Sequence, residues 1–202
     1  MASGQTARLV NIAELAAPFQ LSRPTVRDYV ALLERAFLVD FLPAWHENRL
    51  KRLVKSPKLH LGDTGVAATL LATDAAALAE DRMLLGQLCE TFVVQELRRQ
   101  AAARDEGLRF SHLRDKDGVE VDLVIERGAR SIAGVEVKVA SPVTTSDFSG
   151  LRKLAAVTGD RFAAGVVFYD GEQLLPFGER LFAVPFPVLW RSGVSAGRRG
   201  RA

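Results

Sequence analysis

The sequence predicts a mixed α/β (α+β) protein in two parts: a small helical module ending in strands, then a larger domain with a central mixed sheet flanked by helices. Two observations carry this. Early in the chain, a capped amphipathic segment gives way to an aromatic and branched run closed by Pro43. Later, between about residues 84 and 169, the pattern reads helix, three strands, helix, strand.

In the first part, Asn11 to Ala17 reads as a short helix, interrupted from Pro18 to Ser22. Ser22 stands where an N-cap belongs, and Pro24 fits the first helical turn. Val26, Tyr29, Val30 and Leu33 then fall at i, i+3, i+4 and i+7, one apolar stripe, with Arg23, Thr25 and Arg27 off it. Phe37 to Leu42 reads as a strand and Lys58 to Leu61 as a short buried one. Helix, turn, amphipathic helix, strand is the order of a winged helix-turn-helix. Such a second helix can enter a major groove with Arg23, Thr25 and Arg27 reaching out. The same segment reads equally as a helical packing module that contacts protein.

Arg49, Lys51, Arg52, Lys55 and Lys58 form the densest basic run before the tail. It is suited to phosphates, or is simply a solvated loop. Gly62 to Gly65 reads as a turn with Asp63 capping the next helix. Thr73 to Arg82 is an alanine-rich linker or short helix, and Leu84 to Ala103 a long helix with Leu85, Leu88, Phe92 and Val93 inward. Strands follow at Leu108 to Leu113, Val119 to Glu126 and Ser131 to Val139. A helix from about Ser146 to Val157 and a strand from Phe162 to Tyr169 complete the pattern. The expected divisions are 1–62 for the winged helix, 63–83 for a linker or helical connector, 84–190 for the second domain and 191–202 for a disordered Gly/Arg-rich tail.

Composition excludes several classes. The chain has 202 residues, 48% hydrophobic, with a net charge of only +3. One cysteine, Cys89, rules out an internal disulfide framework, and three scattered histidines show no zinc spacing. No apolar run approaches the roughly 20 residues of a membrane helix, and no signal peptide is visible, so a cytoplasmic protein is expected. The absence of G-x-x-x-x-G-K-[ST] excludes a P-loop ATPase site within these residues.

The chemistry-bearing pattern lies in Val119-Glu120-Val121-Asp122-Leu123 and Val135-Glu136-Val137-Lys138-Val139. Strand alternation puts Glu136 and Lys138 on one face and the three valines on the other. Burying such charges unpaired is unfavourable. A metal-assisted nuclease gives them a purpose: Asp122 and Glu136 hold Mg²⁺, and Lys138 orients the attacking water or neutralises developing charge. Asp122 lies opposite Glu136 only if paired residue numbers sum to 258, which needs an odd loop such as Gly128-Ala129-Arg130. The competing reading is a salt-bridged sheet face with no chemistry.

Several segments closely resemble DUF4143, the C-terminal region of a family of prokaryotic AAA-type ATPases. They are Leu21-Ser22-Arg23-Pro24-Thr25-Val26, Leu53-Val54-Lys55-Ser56-Pro57-Lys58, Asp63-Thr64-Gly65, Leu85-Gly86-Gln87-Leu88-Cys89-Glu90-Thr91-Phe92-Val93, Arg114-Asp115-Lys116-Asp117-Gly118-Val119-Glu120-Val121-Asp122 and Gly134-Val135-Glu136-Val137-Lys138. The resemblance implies a winged helix followed by a PD-(D/E)xK nuclease-like domain, with nuclease-type positions at Glu90, Asp122, Glu136 and Lys138. It also implies DNA as a partner and an ATPase module alongside. A non-catalytic regulatory or protein-interaction domain serving an ATPase partner is the alternative.

Overall fold

The structure is a computed structural model that describes residues 3–46, 53–104, 107–139 and 142–190. A short strand β1 (Arg8–Leu9) leads into helix α1 (Ile12–Ala16). Asn11 caps that helix, its side chain accepting from the N–H groups of Ala13 and Glu14. After a 3-10 turn, Ser22 caps α2 (Arg23–Arg35) by accepting from the Thr25 N–H. Two strands follow, β2 (Val39–Leu42) and β3 (Lys58–Leu61). The three strands form an antiparallel sheet in the order β1-β3-β2.

Two details depart from the sequence expectation. Val26 is buried, but Tyr29 is 55% exposed, on the rim of an open cleft of about 320 Å³ lined also by Leu15, Phe19 and Leu21. At 100° per residue Tyr29 lies at the margin of the stripe centred on Val26, where burial is easily lost. The strand begins at Val39, not Phe37, because α2 ends in a Schellman motif. The Phe37 N–H donates to the Glu34 carbonyl and the Leu38 N–H to the Leu33 carbonyl. That motif needs a left-handed residue, and Phe37 takes it at φ +59 while 86% exposed.

Residues 63–83, expected as a connector, are largely helical: α3 (Thr64–Leu70), capped by Asp63, and α4 (Ala75–Glu80), capped by Asp74. Ala67 and Leu78 share a core with Val39, Leu59, Leu61 and Leu88. Leu88 belongs to the long α5 (Arg82–Ala103), so this core binds the small sheet to the larger domain.

The larger domain contains β4 (Arg109–Arg114), β5 (Glu120–Arg127), β6 (Ser131–Lys138), α6 (Ser149–Thr158), β7 (Phe162–Tyr169), β8 (Leu175–Gly178) and β9 (Leu181–Pro185). They form a six-stranded mixed sheet in the order β4-β5-β6-β7-β9-β8, parallel at β6–β7 and β7–β9. On one face, Leu151 and Leu154 of α6 pack on Val124, Ile132 and Val167. On the other, Val93 and Val94 of α5 pack on Leu123, Val135 and Phe168, joined by Leu42 of β2. Between β2 and β3, residues 43–45 and 53–54 run along the outer edge of β4. The His112 N–H donates to the Pro43 carbonyl, Trp45 N–H to the His112 carbonyl, and Val54 N–H to the Arg114 carbonyl. An otherwise open sheet edge is thereby covered. No helix among the described residues is long and apolar enough to cross a membrane.

Phe37→Gly should raise stability. The variant relieves a left-handed non-glycine conformation while removing little burial, offset by glycine's extra unfolded-state freedom, for a net gain of about 0.5–1 kcal/mol. Thermal unfolding should show Tm higher by roughly 1–4 °C. An unchanged or lower Tm would mean that the aromatic ring contributes contacts worth more than the strain.

Candidate functional site

The β5–β6 hairpin turns through Gly128-Ala129-Arg130, the odd loop that the site arrangement requires. Its pairs run from Arg127↔Ser131 to Leu123↔Val135, each summing to 258. The next step along this register is Asp122 and Glu136, where the ladder stops. On its other side β5 carries a bulge: Ser111 pairs Val124 and Leu113 pairs Val121, so Asp122 and Leu123 together oppose one residue. The alternation expected from the sequence is therefore offset there. Val121 and Val124 both enter the α6-side core, and Leu123 enters the α5-side core. Freed from regular pairing, the Asp122 carboxylate itself accepts the Val137 N–H through Oδ2 at 3.0 Å.

Three expected residues converge, and a fourth that sequence reasoning had placed in the basic run joins them. Lys58 Nζ lies 2.7 Å from Glu90 Oε1 and 3.1 Å from Asp122 Oδ1. Its side chain is only 3% exposed. Lys58 belongs to β3, where all four residues are buried, so it is not part of a solvated basic loop. Glu136, also buried, hydrogen-bonds to Asp122. Lys138 is half-buried beyond it and acts on the Glu136 carboxyl through charge. Glu120, missed from the sequence, adds a further carboxylate field and pairs with Arg114 at 3.0 Å. Gly150 of α6 packs against this corner: a Cβ there would lie 1.9 Å from the Glu120 carbonyl oxygen and 3.0 Å from Glu136 Oε1.

The electrostatics follow from burying several carboxyls around one ammonium. Burial alone disfavours a charged Lys58, but Asp122, Glu90 and Glu120 overcome it and hold its pKa above the ordinary lysine range. Burial, then the Asp122 charge, pushes the Glu90 carboxyl up to about 8, although Lys58 pulls it back. Glu136 is likewise raised well above the usual range, first by burial and then by Asp122. For Asp122, burial opposes ionisation, but Lys58 and the Val137 N–H prevail and lower its pKa. These shifts favour a charged Lys58–Asp122 pair and disfavour ionisation of Glu136 beside it. Lys58 donates to Glu90 in either state of that carboxyl.

Two neutral histidines extend this polar layer. His60 Nδ1 lies 3.1 Å from Thr91 Oγ1, which is 2.7 Å from Thr6 Oγ1, and Thr6 Oγ1 accepts the Leu61 N–H. His112 Nε2 lies 3.0 Å from the Ser56 carbonyl oxygen. Burial, with Lys58's charge next, depresses His60 to about 3 and His112 to about 4.

These residues do not fit the Mg²⁺ ion that the nuclease reading calls for. Both Asp122 oxygens already accept, from Lys58 and from Val137. The ammonium stands between Glu90 and Asp122, where a cation would sit. Among the described residues, no group of three or more His, Cys, Asp or Glu side chains is arranged to hold a metal ion.

The nucleic-acid candidates lie elsewhere. Arg23 and Arg27 are exposed on the first turns of α2, while the Thr25 hydroxyl is 2.8 Å from Ser22 Oγ within the helix cap. Lys55 is exposed. Arg49, Lys51 and Arg52 lie outside the described residues, as does the 191–202 tail.

A family model described as a domain of unknown function, DUF4143, matches residues 85–189, just over half of the sequence. The chain belongs to this family. A second model, another domain of unknown function (DUF8612), matches residues 1–77. Glu90, Asp122, Glu136 and Lys138 thus fall in the DUF4143 segment, and Lys58 falls in the other. The uncharacterized proteins Mb2031c of Mycobacterium bovis and Rv2008c of Mycobacterium tuberculosis are each 30% identical over 186 residues, 92% of this chain and 40% of theirs. The chain therefore spans 40% of the length of these relatives. Among solved structures, a half-complex from a tetradecameric assembly of Thermococcus gammatolerans McrB AAA+ hexamers with bound McrC has a TM-score of 0.35 and 10% identity. It covers 79% of this chain and 60% of that one, and a similarity this low transfers neither fold nor function.

The carboxylates around Lys58 and the two neighbouring histidines predict stability falling on both sides of a maximum. Glu90 binds its proton more tightly folded than unfolded, so its contribution is full below 4.5 and fades as pH rises through about 8. His60 and His112 act oppositely. Below their ordinary 6.5 the unfolded chain takes up protons that the folded chain refuses, so stability falls as pH drops toward about 4. Urea midpoints across this range should peak in mildly acidic to neutral buffer, and Glu90→Gln should flatten the alkaline flank. A wild-type midpoint that climbs steadily to pH 8 would contradict these assignments.

Proposed function

We propose that this chain is a DNA-binding module on a nuclease-like scaffold, with no metal-dependent hydrolysis in the folded state described above. It works beside an AAA-type ATPase, either in the same polypeptide or as a partner. The observation that carries the non-catalytic part is the Lys58 ammonium between Glu90 and Asp122.

Two features support DNA binding. The element order β1-α1-α2-β2-β3, with the strands arranged β1-β3-β2, is the arrangement expected of a winged helix. In addition, the first turn of α2 carries Arg23 and no acidic residue, and Arg27 is exposed on the turn after it. A helix N-terminus disfavours cations, and a sequence tuned for helix stability alone places carboxylates at that end. Exposed arginines at this end suit a phosphate instead. The hairpin β5–β6 and the α6 crossover into parallel β7 support a nuclease-like scaffold.

A second reading has one observation in its favour. The cleft beside α2 is apolar, and Phe19, Tyr29 and Leu32 are each more than half exposed around this helix. Such a surface suits a protein partner such as the ATPase.

Titration of labelled duplex DNA by anisotropy at several salt concentrations separates the two. The DNA reading expects affinity to fall steeply with salt, and Arg23→Ala with Arg27→Ala to reduce the log–log slope by about 2. It also expects no cleavage by the intact protein with Mg²⁺ or Mn²⁺. Binding indifferent to salt and to both arginines would favour the protein-docking reading. Cleavage abolished by Asp122→Asn would overturn the non-catalytic one.

A further inference from the structure

We infer that Lys58 is a built-in replacement for a divalent cation: the centre is a cation site whose occupant is the protein's own ammonium, and removing that ammonium converts it into a divalent-metal site. This rests on the non-catalytic reading of the centre.

The charge argument comes first. Asp122 is buried with Glu90 close by, and a buried carboxylate needs a compensating cation. A nuclease-type centre meets that need with a metal. Here Lys58 meets it, reaching in from a separate sheet to touch carboxylates on both α5 and β5.

The geometry agrees. The oxygens stand 2.7 and 3.1 Å from the nitrogen, hydrogen-bond lengths, whereas Mg²⁺ draws oxygens to about 2.0–2.1 Å. Lys58 is also fixed from behind. It occupies the middle strand of its sheet, paired with Leu9 on one side and Leu42 on the other. That pairing fixes the Lys58 backbone, and the contacts to Glu90 and Asp122 hold its ammonium in the corner.

The freed position would take a hard divalent ion that prefers oxygen ligands, since carboxylates supply the donors. Mn²⁺ is the probe, read by isothermal titration calorimetry and by thermal unfolding of the full chain, without DNA. Wild type is expected to show no Mn²⁺ heat at millimolar concentration and an unchanged Tm. Lys58→Met, which keeps the length and loses the charge, is expected to bind Mn²⁺ at least tenfold more tightly than wild type, roughly, with a Tm that climbs with Mn²⁺ concentration. Adding Asp122→Asn should abolish both effects while leaving a folded protein.

If Lys58→Met folds only when Mn²⁺ is present, the inference gains support. Failure to fold or bind with Mn²⁺, while the double variant folds, would overturn it, as would Mn²⁺ binding to wild type as tight as to the variant. A wild type that cleaves DNA sinks the non-catalytic reading. A wild type that binds Mn²⁺ without cleaving sinks only this inference.

Discussion

One ammonium joins the two halves of this molecule. Lys58 leaves the small sheet and ends against Glu90 of α5 and Asp122 of β5, crossing from the segment matched by one family model into the segment matched by the other. Removing it would leave Asp122 charged and buried, a change of the kind that destabilises proteins by about 3–5 kcal/mol. The surroundings are consistent with this role. Leu42 and Leu88 tie the small sheet and α5 into shared cores, residues 43–45 and 53–54 cover the β4 edge, and the histidines stay neutral beside the cluster.

The same contact governs the functional reading. A carboxylate corner at the end of a β-hairpin invites a metal, and strand alternation alone makes that case. It weakens once the corner is seen to hold a cation already, with both Asp122 oxygens accepting hydrogen bonds. What remains is a scaffold presenting exposed arginines on α2 and an apolar cleft beside them.

Local patterns made much of this legible. Alternation and an odd loop suffice to bring Asp122 beside Glu136, because both depend only on residues close in sequence. The caps at Asn11, Ser22 and Asp63 were readable for the same reason. Lys58 was not. It stands 64 residues from Asp122 and on another sheet, and its basic neighbours suggested solvent. The one available signal was its place between Pro57 and Leu59, at the start of a buried strand. The bulge at Asp122 and the left-handed Phe37 were also hidden, since both arise from how neighbouring elements meet.

The most direct test of the Lys58–Asp122 pair is a double-mutant cycle by urea unfolding, using Lys58→Met, Asp122→Asn and both together. Because each single change strands its partner and the double change strands neither, the account predicts a coupling free energy above about 1 kcal/mol, with the double variant at least as stable as the weaker single one. Additive effects, with the double variant losing the sum of the two, would contradict it.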